Sequence, residues 1–535
     1  MAGIVVTPQP EASETGVEIL RRGGNAVDAA VATALVQGGV DPQMCGIAGF
    51  GSMQLYLPGQ GVHEFIDFHG KTPAAARPDM WEHLIEGETR DGFGFILKGR
   101  VNDIGYQSIT VPGSLKAYFE AQSAYGRMDW ADVVQPAIEA CEAGVMIRPH
   151  VHFFWTVDEP GRVLTADRLR FTEAGREIYF HPDGRLKGLG ETLRNPDLAE
   201  TLRRIAREGA DVFYSGSMAE EIAADMAANG GLLSAQDLRD YRTRRVKPLW
   251  GEFRGYRVAS NHPPGGGVML IEMLQILEHF DLEALGHNSV DYIQVVAEAM
   301  KQATADKDAF VGDPAFVEVP LERLTSRAYA AEVAARIKAG ERGHVERLPE
   351  GGLPEPKDTT HVAIVDGEGN AVSMTHSLGM PSGVITKGLG FMYNGCMGVF
   401  DPRPGRAGSI APGKARFSSV CPTIVFKEEE PCLVIGAPGG TQIAMGVLQA
   451  TLNALAFDMP IDRAIAAPRF SATSDIIDVS NRIPRFVTRA LEERGYQTFR
   501  SYLSYTFAAV HGLKRGPEGW SGGADPGHDG MPLSV

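Results

Sequence analysis

Over the first 340 residues, apolar positions recur mostly at helical spacing. In "EASETGVEILRRGG" Val17, Ile19 and Leu20 share one face and the run stops at a glycine pair; "NAVDAAVATALVQGG" restarts with Asn25 as N-cap and ends on a second pair. This predicts a helix, turn, helix unit whose small residues permit close packing. "FGSMQLYLPG" and "GVHEFIDFHG" instead alternate, which predicts a β-hairpin. Helical spacing returns at 131–144, 197–208, 217–228, 268–280, 289–309 and 328–339. Residues 341–358, "ERGHVERLPEGGLPEPKD", have no apolar period and read as an exposed linker. The pattern then changes to strands: "HVAIVD", the turn "GEGN", "AVSMTHSL", and later "PTIVFK" and "CLVIGAPGG". A helix "TQIAMGVLQATLNAL" follows, then another near 485–495, and the closing "GWSGGADPGHDGMPLSV" reads as irregular. No internal repeat is visible.

Hairpins with one polar face, set among long helices, indicate an α+β or layered α/β architecture with an antiparallel sheet. The change of pattern places the principal division of the chain at 358/359. With 535 residues, 44% of them hydrophobic, the chain can bury a large core. The net charge of −16 disfavours phosphate backbones and anionic lipid, so neither nucleic acid nor a membrane surface is an expected partner. Five scattered cysteines without a C-x-x-C pair suggest buried free thiols, not a disulfide framework or a zinc site. The first residues lack a basic start followed by an apolar core, and no run of about 18 apolar residues occurs, so the expected setting is cytoplasmic.

Four stretches could carry chemistry. "LVIGAPGGTQIAMG" is a strand, glycine turn and helix. Pro438 occupies the second glycine of a dinucleotide loop, and Gly440-Thr441-Gln442 lacks the lysine of a P-loop. What survives is a pair of glycine N–H groups at a helix start, suited to a carboxylate, a phosphate or a developing oxyanion, or else a plain turn. In "RPHVHFFW", His150 and His152 could share a strand face as metal ligands, though a packed or surface pair explains them as well. In "FSSVCPT", Ser418 and Ser419 could hold a carboxylate or form a strand-edge turn. Finally, "KDTTHVAIVD" puts Thr359 at the start of a strand after a polar linker. A threonine becomes a nucleophile when it is a chain's first residue, because its α-amine, with a pKa of about 7.7–8.0, can act as base for its own hydroxyl. Cleavage of the Asp358–Thr359 bond would supply that amine.

Taken together these stretches resemble the γ-glutamyltransferase (γ-glutamyltranspeptidase) family of N-terminal-nucleophile hydrolases. The likeness extends over most of the chain: "GVEILRRGGNAVDAAVA", "TVPGSLKAYF", "VVQPAIEACEAG", "FRGYRV", "HPPGGGVML", "FVGDPAFVEVP", "TTHVAIVDGEGNAVSMTHS", "FSSVCPTIV", "GAPGGTQI", "APRF" and "GGADPGHDG". It implies a four-layer αββα sandwich, made as one precursor and self-cleaved between Asp358 and Thr359. Residues 1–358 would form the large subunit and 359–535 the small one, intertwined in one domain, and a dimer of such heterodimers is allowed. Thr359 would attack an amide carbonyl and Gly439 and Gly440 would hold the oxyanion. Ser377 would hydrogen-bond the nucleophile, with Thr375 two residues earlier on the same strand face. Ser418 and Ser419 would hold a substrate carboxylate, and the acyl-enzyme would pass to water or an amine. No metal or organic cofactor is implied.

The departures concern substrate recognition. The family's arginine that clamps the donor carboxylate corresponds to His69 in "IDFHG", and an imidazole lacks the charged fork of a guanidinium. The acidic segment that binds the donor's α-ammonium corresponds to "YNGCMGVF", where Cys396, Gly398 and Val399 replace its polar groups, and Gly379 stands where an asparagine would also touch that ammonium. A buried ammonium without an acid is costly. The expected substrate is therefore a small amide that bears a carboxylate but is not a standard γ-glutamyl donor. The alternatives are a γ-glutamyltransferase or glutathione hydrolase with a rebuilt donor pocket, and an unprocessed, non-catalytic relative.

Overall fold

The computed structural model describes residues 3–157, 164–348, 359–501 and 507–535. At its centre is the hairpin of strands Thr360–Asp366 and Ala371–Ser377. Alternate side chains of this hairpin are buried on opposite faces. Val362, Ile364, Val372 and Met374 join a core shared with helices, while Ala363, Val365 and Ala371 join a core that lies against a second sheet. A strand with no polar face must be covered on both sides, and the rest of the fold supplies the two covers.

The hairpin lies inside a seven-stranded antiparallel sheet in the order Met531–Ser534, Gly3–Thr7, Thr360–Asp366, Ala371–Ser377, Phe50–Leu57, Val62–Phe68, Arg244–Val246. A second antiparallel sheet runs Gly519–Ala524, His511–Gly516, Glu430–Gly436, Thr423–Lys427, Tyr256–Ser260, Leu249–Phe253. Between them pack Ile4, Val6, Ala363, Ile424, Phe426, Val434 and Leu513. Helices Pro10–Arg21, Ala26–Val40, Ser114–Tyr125, Trp130–Ala143 and Pro196–Glu208 cover the outer face of the first sheet. Helices Gly267–Leu277, Val290–Phe310, Arg327–Lys338 and Ile443–Leu455 cover that of the second. The result is four layers, αββα, and each sheet contains strands from both sides of residue 358.

Local chemistry explains the entry of the hairpin. Asp366 Oδ1 accepts the N–H groups of Glu368 (2.9 Å) and Asn370 (3.0 Å), closing the "GEGN" turn. Its Oδ2 accepts the Ala26 N–H (2.9 Å) at the start of helix Ala26–Val40. That helix also carries a capping box between Asn25 and Asp28, and it is apolar on almost every face because it is buried on almost every face.

Several expectations are corrected. The helix from Ala26 runs through Gly38 and Gly39 to Val40 instead of ending on them. The glycine-rich tail forms two edge strands, Gly519–Ala524 and Met531–Ser534. There a Cβ on Gly522 would come 2.5 Å from Pro532 Cβ and one on Gly523 2.9 Å from the Ile461 carbonyl oxygen, so the glycines permit close packing. His150 and His152 lie on a helix, Pro149–Thr156, where i and i+2 point to different sides, so they share no strand face. The presumed exposed linker is partly packed: Val345 is buried, and Arg347 pairs with Asp308 (2.7 Å). Asp358 lies outside the described residues.

Candidate active site

Register carries Thr359 to the open end of the central hairpin. Thr360 pairs with His376, so Thr359 stands opposite Ser377, and their hydroxyls are 3.0 Å apart. The period of two then divides the "TTH" run. Thr360 points to the helical layer, where its Oγ1 accepts from Gln37 Nε2 (2.8 Å) and donates to Gln9 Oε1 (3.1 Å). His361 points between the sheets, with Nδ1 2.9 Å from Thr375 Oγ1. Thr375 therefore lies behind the Thr359–Ser377 pair and bonds His361, not Thr359. Burial pulls the His361 pKa well below its usual value, so this ring is neutral. Ser377 Oγ also accepts the Gly379 N–H (2.8 Å), which fixes its rotamer.

Thr359, Ser377, Gly379, Ser418, Ser419 and Gly440 line one cavity of ≈ 480 Å³, within the range of small-molecule sites. Gly439 and Gly440 both have positive φ, 141° and 55°, so neither belongs to the α-helix that follows. A short 3₁₀ turn, Gly440–Gln442, comes first and the α-helix begins at Ile443. A Cβ at Gly439 would lie 2.5 Å from Ala508 Cα, so glycine is required there. Among the described residues neither Gly439 N–H nor Gly440 N–H donates to an acceptor, so both remain available as donors.

The serine pair is held by the "HPPGGG" loop. Ser418 N–H donates to the Pro264 carbonyl (2.9 Å), Gly266 N–H to that of Val420 (2.9 Å), and a Cβ on Gly266 would meet the Ser419 backbone at 2.5 Å. His69 is buried behind Ser418, with Nε2 2.6 Å from Ser418 Oγ and Nδ1 2.6 Å from Asp67 Oδ1. Asp67 also accepts from Arg244 (3.0 Å). Burial opposes the Asp67 charge, but the His69 charge and hydrogen bonds, with Arg244, hold its pKa down to about 2. The chain Asp67–His69–Ser418 has the connectivity of a serine relay. Its serine has already spent its own N–H on Pro264, so the relay orients the Ser418 hydroxyl on the cavity wall.

Val399 lines the cavity, while Cys396 is buried beside Gly379, where its thiol donates to the Leu378 carbonyl (3.3 Å). Sequence reasoning missed Arg416 and Phe50. Both line the cavity, and the guanidinium lies over the Phe50 ring, 4.7 Å from its centroid. A lone arginine two residues before a serine pair, in "KARFSS", is a signal that could have found the first. Among the described residues no cluster of three or more His, Cys, Asp or Glu could hold a metal. Among them, too, no helix is long and apolar enough to cross a membrane.

Comparison with known proteins places this geometry in context. Residues 12–535 match the family model of the gamma-glutamyltranspeptidases. The chain is 37% identical to an acylase ACY 1 proenzyme of Pseudomonas sp. (strain V22), over all of this chain and 93% of that one. It is 36% identical to a glutathione hydrolase proenzyme of Pseudomonas sp. (strain A14), over 88% and 81%. The crystal structure of cephalosporin acylase from Bacillus halodurans superposes with a TM-score of 0.87 at 29% identity, covering 100% of this chain and 96% of that one.

Proposed function

The chain belongs to the gamma-glutamyltranspeptidase family of N-terminal-nucleophile amidohydrolases and acyltransferases, and from that premise we propose that Thr359 is its nucleophile, freed by self-cleavage after Asp358. The observation that carries this reading is the Thr359–Ser377 hydroxyl pair at the open end of the central hairpin, in one cavity with Gly440 and the serine pair. Once Thr359 begins a chain, its amine takes the hydroxyl proton as Oγ1 attacks the amide carbonyl. Negative charge develops on the carbonyl oxygen, which the N–H groups of Gly439 and Gly440, neither with an acceptor among the described residues, would hold. The protonated amine returns its proton to the leaving nitrogen as the C–N bond breaks, leaving an ester on Thr359. Water or an amine then attacks the ester, its proton passing to the same amine, and the acyl group departs as the acid or a new amide.

The substrate class is the amide of a small acyl group that bears a carboxylate, hydrolysed or transferred. Support comes from Ser419 and the oriented Ser418 on the cavity wall and from the absence of an acidic side chain at Cys396, Gly398 and Val399. The relative named as a glutathione hydrolase keeps a γ-glutamyl donor as the second reading, which release of glutamate from a γ-glutamyl anilide would favour.

The test is the Thr359→Ala variant. Purified wild type is expected to give two bands on a denaturing gel, split at 358/359, and to hydrolyse N-acyl anilides. Thr359→Ala is expected to stay a single chain without activity, and two bands from that variant would sink the assignment.

A further inference from the structure

Arg416 is 4% exposed and lines the same cavity as Thr359, Ser377, Ser418 and Ser419. Three of its surfaces are fixed. Its Nε donates to the Phe417 carbonyl (2.9 Å), its face lies over Phe50, and its Nη1 is buried with no acceptor. Nη1 occupies the notch left by Gly379, where a Cβ would come within 2.8 Å of it and 2.9 Å of Cys396 Sγ. The absence of a side chain at 379 thus makes room for the guanidinium.

Among the described residues its charge has no counter-ion. The neighbouring cations of the cavity are paired: Arg403 with Asp401 (2.7 Å), Arg347 with Asp308 (2.7 Å), and Lys307 also with Asp308. Asp67, behind the serine pair, is shared by His69 and Arg244. Among the described residues no carboxylate comes within ion-pair distance of Arg416. Cys396 does not supply an anion either, because burial pushes its thiol pKa up and the thiol donates to a carbonyl. Burial likewise pulls the Arg416 pKa down, as expected of a cation removed from water without a partner. A buried guanidinium is tolerated when an anion completes it, and its fork fits a carboxylate.

We propose that Arg416 anchors the free carboxylate of a dicarboxylic acid monoamide, whose amide carbonyl lies at Thr359. This assignment rests on the reading of Thr359 as nucleophile. A fixed positive charge in this cavity also repels an α-ammonium, so the same residue that draws in a dicarboxylic acyl chain rejects its α-amino counterpart. The cation that an amino-acid head group would bring is supplied by the protein.

Calorimetric titration of the purified protein with glutarate and with L-glutamate tests this without any reaction. Wild type is expected to bind glutarate at least about tenfold more tightly than L-glutamate, the cost of setting like charges close together. Arg416→Gln is expected to weaken glutarate by about 30-fold or more, as truncation of a desolvated ion pair does, and Arg416→Lys, with charge but no fork, to fall between. The proposal is overturned if wild type binds no glutarate, if it binds L-glutamate as tightly, or if Arg416→Gln keeps full affinity. Should Arg416→Gln fail to fold, the wild-type preference and Arg416→Lys still decide. Dicarboxylate binding needs no attack by Thr359. A wild type that prefers glutarate, paired with a Thr359→Ala variant that still splits, would therefore retain the anchor and discard the nucleophile.

Discussion

Ser377 holds Thr359 through a hydroxyl contact of 3.0 Å and is itself fixed by the Gly379 N–H. Replacing it with alanine removes a hydrogen bond to the attacking atom but no group that would touch the substrate's carboxylate. We expect Ser377→Ala to lower kcat by about 10- to 100-fold, the cost of roughly 1–3 kcal/mol for a lost buried hydrogen bond, with KM within about threefold. Steady-state kinetics on an N-acyl anilide check this, and an unchanged kcat would remove Ser377 from the mechanism. This pair was legible in the sequence because a hairpin with a recognisable turn fixes its own register, so Thr359 and Ser377 had to face each other. Arg416 was legible only as an arginine close to the serine pair, not as a buried cation of the cavity. Its environment comes from Phe50, Gly379 and Cys396, which are near it only after the sheets have packed, and no local period reports such contacts.

Among the elements, the central hairpin does most to place the site, and Asp366 secures its far end. One carboxylate accepts the N–H groups of Glu368, Asn370 and Ala26 and the Asn370 side-chain amide (2.8 Å), tying the turn to the start of helix Ala26–Val40. Asp366→Ala leaves these donors unmet in a nearly buried place and should cost about 2–4 kcal/mol of stability. The expected result is a lower urea midpoint, with a smaller loss of activity than Ser377→Ala because the turn lies a whole strand from Thr359. An unchanged midpoint would show that water replaces the carboxylate. Elements with a strong period, such as Val290–Phe310, were legible to within a residue or two. The edge strands of the tail were not, because Gly522 and Gly523 carry no side chain to alternate and are selected by the closeness of Pro532 and Ile461. Nor was the helix Pro149–Thr156, too short to complete an amphipathic pattern.

Across the whole molecule, a set of buried and half-buried neutral histidines makes stability depend on pH. Burial lowers the pKa of His376 and His528 to about 3 and of His63 and His511 to about 4, with Lys247 and Arg257 adding to the effect on His63 and His511 to that on His528. His150 and His361 are pushed well below the usual value by the same cause. Three of these rings, His150, His511 and His528, meet where helix Pro149–Thr156, strand His511–Gly516 and the connection before Met531–Ser534 converge, with centroids 3.7 Å apart for His150 and His528. Such a meeting of distant segments follows from the interleaving of strands from both sides of residue 358, which the sequence pattern, with its break at 358/359, did not reveal. Each folded-state pKa lies below the unfolded value of about 6.5, so between these limits the unfolded chain binds more protons than the native one. The stability of the neutral rings is therefore fully present above pH 6.5 and is lost as pH falls toward 4 and 3, by up to about 1.4 kcal/mol per pH unit for each ring. Asp67, held at about 2, contributes stability above the unfolded carboxylate value that is lost only below about pH 4. Asp41, whose pKa burial raises to about 7, and Glu272, which burial raises well above its usual value, work the opposite way over the same interval, but six rings outnumber them and the net slope stays downward. Urea midpoints should fall steadily from pH 7 to pH 5, where carboxylates such as Asp67 are still ionised, and a flat midpoint over that interval would mean that these histidines are charged or solvated in the native protein.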